Sequence, residues 1–183
     1  MVDVAIYTLQ ELEKYQIVDI GTGSGCIAIS VAAEIPSASV LGLDISPEAL
    51  VTAEENASIN KLLNVQFLQT DFLQFTPSEP VYDGLLMNPP YIPTNEMDTL
   101  MKEVRDFEPD LALTDHEDGL TFYRHLADTA QKWVHPGGWL ILEVGLGEHP
   151  QKATACFDTK GFAQLELIAD FNTDDRILKV QVV

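Results

Sequence analysis

Basic residues are scarce in this chain. Ten Lys and Arg stand against 29 Asp and Glu in 183 residues, a formal net charge of −19. A nucleic-acid binder gains much of its affinity by placing Lys and Arg on phosphates. Here the bases are scattered from Lys14 to Lys179 without a cluster. The balance argues against direct nucleic-acid binding and favours a basic or neutral partner. Cysteine is nearly absent. Cys26 and Cys156 are too few for a disulfide framework, and they read as buried thiols of a reducing compartment. No apolar run approaches the roughly 18 residues that a membrane-spanning helix needs. The opening residues Met1-Val2-Asp3-Val4 lack a basic stretch ahead of an apolar one, so no secretion signal is read and a cytoplasmic location is expected. His116, His125, His135 and His149 have no ligand-like spacing. No metal is expected, and these histidines read as surface or helix residues.

What is present is an alternation of short β-branched runs with helical stretches. Strands are expected at 16–20, 40–44, 65–69, 82–87, 139–144, 164–169 and 176–182. Helices are expected at 26–34, 47–60, 120–134 and 149–160, the second opened by Ser46 as cap and Pro47 at its first position. Pro136-Gly137-Gly138 reads as the stop between the third of these helices and the strand after it. Such alternation argues for one α/β domain over residues 1–183, with a mostly parallel sheet covered on both faces. The last two strands lack a helix between them and read as an antiparallel hairpin at an edge. Residues 89–118 show no clear element, apart from one short helix suggested by Met97, Leu100, Met101 and Val104. Connections this long are commonly functional. Val2 to Leu12 has helical spacing but no cap, so the chain is expected to be a piece of a longer protein.

Asp19-Ile20-Gly21-Thr22-Gly23-Ser24-Gly25 follows a strand and opens a helix. Glycines let the backbone turn sharply and approach a ligand, and the helix start adds amide donors. Asp44 ends the next strand, where an acid can accept ribose hydroxyls. Together they point to a nucleoside-type ligand. The spacing is Gly-x-Gly-x-Gly, and Cys26 stands where a dinucleotide fingerprint needs glycine. A carboxylate at Asp19 suits a cation better than a pyrophosphate. S-adenosylmethionine carries an ammonium and a sulfonium and no phosphate, so it fits an acidic protein. At a third strand end, Asp71 could accept the adenine amino group and Phe72 could stack on the ring, or Phe72 could be ordinary core.

Asn88-Pro89-Pro90-Tyr91 ends the fourth strand. In an open parallel sheet ligands sit beyond the carboxyl ends of the strands, where the strand order reverses. Two prolines stiffen the backbone and remove two N–H donors. The Asn88 side-chain oxygen and the Pro89 carbonyl remain as a row of acceptors, suited to an NH₂ group conjugated to a carbonyl or ring. Tyr91 offers a flat face for that plane.

These segments resemble the PrmC/HemK family, the protein-(glutamine-N5) methyltransferases of translation release factors. The similar stretches are Asp19 to Ile29, Asp44 to Leu50, Asn88 to Ile92, Glu108-Pro109, Asp118-Gly119-Leu120-x-Phe122-Tyr123-Arg124, Pro136 to Gly138, Leu142-Glu143-Val144-Gly145 and Asp175-Arg176. The resemblance implies a seven-stranded class I S-adenosylmethionine-dependent methyltransferase fold, Rossmann-like, with a C-terminal antiparallel hairpin. It implies that Gly21, Thr22, Gly23, Ser24 and Gly25 hold the methionine end of the cofactor, Asp44 the ribose and Phe72 the adenine side; Asp19, Ile45 and Asp71 are further candidate cofactor contacts. It implies that Asn88, Pro89, Pro90 and Tyr91 hold the glutamine amide of a Gly-Gly-Gln motif, with Asn88, Pro89 and Tyr91 as catalytic residues and Asn88 also beside the cofactor. Family members carry a small helical domain ahead of this part. The seven acids Glu103, Asp106, Glu108, Asp110, Asp115, Glu117 and Asp118 against Arg105 read either as a solvated face or as an acidic rim for a basic substrate. Two other readings stay open: an N6-adenine methyltransferase, which shares the Asn motif, and a cofactor-binding domain without turnover. The glycine spacing argues against a nicotinamide enzyme.

Overall fold

The computed structural model describes residues 1–9, 15–158 and 160–183. In chain order the regular elements are α1 (Val2–Leu9), β1 (Tyr15–Ile20), α2 (Cys26–Glu34), β2 (Ala38–Asp44), α3 (Pro47–Ile59), β3 (Val65–Gln69), β4 (Tyr82–Met87), α4 (Lys102–Phe107), α5 (Asp110–Leu113), α6 (Thr121–Trp133), β5 (Val134–Glu143), α7 (His149–Asp158), β6 (Gln164–Ala169) and β7 (Asp175–Gln181). Leu12, placed in the first helix on spacing, lies outside the described residues.

The seven strands form one sheet in the order β3-β2-β1-β4-β5-β7-β6. All neighbouring pairs are parallel except those of β7, which runs antiparallel to β5 and to β6. The expected C-terminal hairpin is therefore present, with β7 inserted between β5 and β6. The strand alternation explains the two-sided burial. Val18, Leu85, Met87, Leu140 and Leu142 point to one face, where Tyr123, Leu126, Trp133 and Phe157 cover them. Ile17, Leu86 and Ile141 point to the other, against Ala5, Leu9, Ala28 and Val31. Among the described residues no helix is long and apolar enough to cross a membrane.

Three expectations need correction. Pro136-Gly137-Gly138 does not precede β5 but lies inside it. The register slips there, Tyr82 pairing with Val134 and Gly84 with Trp139. Gly137 supplies a φ of +88°; its N donates to Val182 O, and Val182 N donates to Gly138 O. The helix stops earlier because Val134 is already extended. Second, residues 89–118 are not bare loop. They hold a 3-10 turn over Thr94–Thr99 and the short helices α4 and α5. Third, Cys26 is exposed and Cys156 half-buried. Cys26 heads α2 on the side away from Ala28 and Val31, so helical period overrides its apolar character.

Trp133 is fully buried at the end of α6, in contact with Phe72, Phe75 and Tyr82. Trp133→Ala is expected to cost about 3–5 kcal/mol, read as a lower urea midpoint in equilibrium unfolding.

Candidate functional site

The register gathers the candidate residues on one rim. β1 and β4 are adjacent at the point where strand order reverses, with Ile20 paired to Met87. β2 flanks β1, with Leu43 paired to Ile20, and β5 flanks β4, with Leu142 paired to Met87. The segments that leave these strands, 21–25, 44–46, 88–91 and 143–145, must therefore surround one crevice.

The glycine turn is held by hydrogen bonds to its own residues and to the end of β2. Gly21, Gly23 and Gly25 all have positive φ (+68°, +56° and +80°). Thr22 N donates to Leu43 O, and Gly23 N donates to Asp44 Oδ2 at 2.7 Å. Asp44 Oδ1 accepts from Ser46 N at 2.9 Å. Each Asp44 oxygen keeps a further lone pair for a ligand hydroxyl, and Ile45 beside it is exposed. The Ser24 carbonyl accepts from Asn56 Nδ2. A Cβ at Gly25 would be crowded, 2.9 Å from Ile29 Cδ1 and 3.1 Å from Ala53 Cβ, on a backbone already at φ +80°.

Asp19 lies beneath the turn, fully buried. Its Oδ2 accepts from the Thr22 hydroxyl at 2.7 Å and from Ala28 N at 3.1 Å. Its Oδ1 is buried without a partner among the described residues. Burial pushes its pKa from 3.8 to about 7, against the lowering effect of those hydrogen bonds and with a smaller upward push from Asp44. Asp71 and Phe72 lie just after β3, at the third strand end. Asp71 turns both oxygens to its own turn, accepting from Leu73 N and Gln74 Nε2. Phe72 is 5% exposed, with its ring against Phe122, His125 and Trp133. It packs within the aromatic cluster under β4 and α6, which is the core placement that the sequence left open for it.

Asn88 is exposed at the rim, Pro89 is buried, and Pro90 and Tyr91 are half-buried. A Cβ on Gly21 would be 4.0 Å from the Asn88 carbonyl oxygen, so the glycine turn and the Asn motif meet. Tyr91 is fixed by groups remote in sequence. Arg176 Nη2 donates to the Tyr91 hydroxyl at 3.2 Å and to Glu143 Oε1 at 2.8 Å. The Tyr91 hydroxyl donates to Glu143 Oε1 at 3.4 Å. Tyr123 donates to the Glu143 carbonyl at 2.5 Å. Burial and then the Glu143 carboxylate push the Tyr91 phenol up, so it stays a neutral donor.

The residues after Tyr91 are tied to the acidic segment. Ile92 N donates to Leu113 O, and Thr94 N to Glu117 O. Two of the seven acids serve this local structure. Asp115 accepts from Glu117 N, Gly119 N and Thr121 N, and these bonds hold its carboxyl below the usual range against a desolvation push upward. Asp118 pairs with Arg124. The other five are exposed.

Composition and spacing assigned no role to Tyr123, Glu143, Arg176 or His149. The first three lie in stretches that carried the resemblance, but their convergence on Tyr91 requires the antiparallel pairing of Glu143 with Ile177.

The model of the methyltransferase small domain family matches residues 3–105. Among curated relatives, a release factor glutamine methyltransferase of Fusobacterium nucleatum is 37% identical over 97% of this chain and 50% of its own length. One of Caulobacter vibrioides is 39% identical over 97% of this chain and 61% of its own length. The chain thus spans about half to three-fifths of these relatives. Among solved structures, TrmN from Thermus thermophilus superposes with a TM-score of 0.69 at 20% identity, covering 100% of this chain and 48% of that one. The ribosomal protein L11 methylase of Lactobacillus delbrueckii gives 0.67 at 18% identity, covering 100% and 77%. These likenesses establish the class I S-adenosylmethionine-dependent methyltransferase fold.

Because Asp19 is protonated more readily folded than unfolded, its favourable contribution is present below pH 3.8 and is lost as pH rises through about 7. Asp19→Asn removes this titration. Denaturation at pH 5 and pH 8 is expected to show the variant gaining on the wild type as pH rises. An unchanged difference between the two pH values would contradict the assignment.

Proposed function

The chain belongs to the methyltransferase small domain family, and from that premise we propose that it transfers a methyl group from S-adenosylmethionine to the side-chain amide nitrogen of the glutamine in a release factor Gly-Gly-Gln motif. The observation that carries the reading is the meeting of the glycine turn and the Asn88 motif in the crevice between β1 and β4. The curated relatives, named release factor glutamine methyltransferases, support the choice of acceptor.

The residues present fit the cofactor. The turn presents backbone amides at the start of α2, Asp44 has spare lone pairs for ribose hydroxyls, and exposed Ile45 gives an apolar wall. Asp19, buried under the turn with its Oδ1 unpartnered among the described residues, is an acid that a nearby cationic group would hold ionised and a phosphate would not. Bound there, S-adenosylmethionine supplies an electrophilic methyl on a sulfonium.

The chain's own residues act on the amide. Its nitrogen lone pair is delocalised into the carbonyl, so the nitrogen is a weak nucleophile. Asn88 Oδ1 and the Pro89 carbonyl each accept one N–H of the amide. This draws electron density onto nitrogen and fixes its direction. Tyr91, held by Glu143 and Arg176, packs against the amide plane. Positioning of this kind is worth about 7–11 kcal/mol in favourable cases. The methylated nitrogen sheds its proton to solvent, so no strong base is needed beforehand. The intended localisation is the cytoplasm, where translation termination takes place.

The segment carrying the exposed acids Glu103, Asp106, Glu108, Asp110 and Glu117, bonded to Ile92 and Thr94 next to Tyr91, would border this mouth, with Asp106 paired to Arg105. A basic glutamine-bearing loop is attracted to it, whereas a polyanionic adenine substrate is repelled. The N6-adenine reading is therefore the weaker one.

Asn88→Ala is expected to lower methyl transfer to a release factor by at least about 100-fold, while calorimetry shows cofactor affinity within a few-fold of wild type. Near wild-type turnover by the variant would overturn the acceptor role. Raising salt through the physiological range is expected to reduce kcat/KM through the encounter step. A salt-independent kcat/KM would remove the steering role of the acids.

A further inference from the structure

His149 begins α7 but does not face solvent as an ordinary helix-start residue. Its Nδ1 lies 3.0 Å from Gly145 N, which can only donate, so Nδ1 must hold a lone pair. Its Nε2 lies 3.1 Å from the Gly119 carbonyl, which can only accept, so Nε2 must carry the proton. A single form, neutral with hydrogen on Nε2, satisfies both neighbours. The imidazole is thus a bridge between the loop after β5 and the loop before α6.

Both ends of this bridge touch Tyr91. A Cβ on Gly119 would fall 2.2 Å from the Tyr91 carbonyl oxygen, and one on Gly145 would fall 3.2 Å from Tyr91 Cδ2. The ring of His149 lies 5.6 Å from that of Tyr91, and 5.2 Å from that of Tyr123 in an edge arrangement. The bridge therefore meets the tyrosine on backbone and ring alike, in addition to Arg176, whose guanidinium lies 5.9 Å from the ring centroid.

The geometry points to His149 as a positioning residue for methyl transfer, its neutral imidazole clamping Gly119 to Gly145 and thereby fixing the Tyr91 face against which the acceptor amide packs. This rests on the function proposed above and adds to it a residue that touches neither cofactor nor acceptor. Protonation breaks the clamp, because an Nδ1–H would then oppose the Gly145 N–H. The charged and titratable groups around the ring are Asp115 from the loop before α6, Lys152 from α7, Arg176 from β7, and the phenols of Tyr91 and Tyr123. Burial is the main influence and lowers the imidazole pKa below 6.5, aided by Lys152 and Arg176 and opposed by the Gly119 carbonyl and Asp115. The clamp is therefore closed at neutral pH and opens in acid.

The test compares wild type with His149→Phe and His149→Gln at saturating cofactor, using a release factor as acceptor. Phe fills the space without bridging. Gln can accept from one glycine and donate to the other, yet does not titrate. His149→Phe is expected to lose roughly 10–100-fold, chiefly in kcat, with cofactor affinity within about twofold. His149→Gln should recover most of that loss and lack the imidazole-dependent fall of kcat in acid. Ring ¹⁵N spectra of the wild-type chain should show the neutral Nε2–H form of His149 at pH 7. Equal kcat for wild type and His149→Phe, or spectra showing Nδ1–H or a charged ring at pH 7, would overturn the clamp. Absence of methyl transfer by the wild type overturns the proposed function instead, and the spectra still decide the clamp.

Discussion

The pairing of Ile20 with Met87 is the constraint on which the site depends. It places the residue after β1 and the residue after β4 side by side at the reversal of strand order, where the two chains diverge and leave a crevice. A slip of one residue would turn every side chain of β4 to the opposite face. Leu85 and Met87 would then leave the cluster built by α6, and Leu86 would leave the cluster built by α1 and α2. Core packing on both faces therefore sets the register, and the register sets the distance between the glycine turn and the Asn88 motif.

Around that crevice the two halves are held by different means. Around the glycine turn the support is local and polar. Asp44 grips Gly23 and Ser46, and Asp19 grips Thr22 and Ala28. Around the Asn88 motif the support is long-range. Proline fixes the backbone of 89 and 90, while Glu143, Arg176 and His149 converge on Tyr91 from β5, β7 and α7. The Arg176–Glu143 pair is only partly buried and is worth more as a fixture than as a source of stability. A weak nucleophile gains most from being held still, so a rigid acceptor side suits the proposed chemistry.

The sequence made the first half of this visible and the second half only faintly. The glycine turn, Ser46 and Pro47 at the start of α3, and Asn88 with its prolines are signals of a few adjacent residues, and each falls where local rules put it. Tyr91 and Arg176 are 85 positions apart, and Tyr91 and Glu143 are 52 apart. Only the antiparallel insertion of β7 beside β5 brings them together, and no periodicity encodes that. At Phe72 the choice between ligand face and core stays open in the sequence for a related reason. Its position at a strand end suggested a ligand face, but Phe122 and Trp133, some fifty and sixty residues onward, enclose it. His149 carried no motif at all, and its role emerges only from the two glycines it joins.

The central claim is that this crevice presents an amide nitrogen to a methyl donor. Fragmentation mass spectrometry of a Gly-Gly-Gln-containing release factor, after incubation with this chain and S-adenosylmethionine, tests it most directly. The account predicts one added methyl on the side-chain nitrogen of that glutamine and on no other residue. An unmodified glutamine, with the methyl instead on the N6 of adenine in added RNA or DNA, would contradict it.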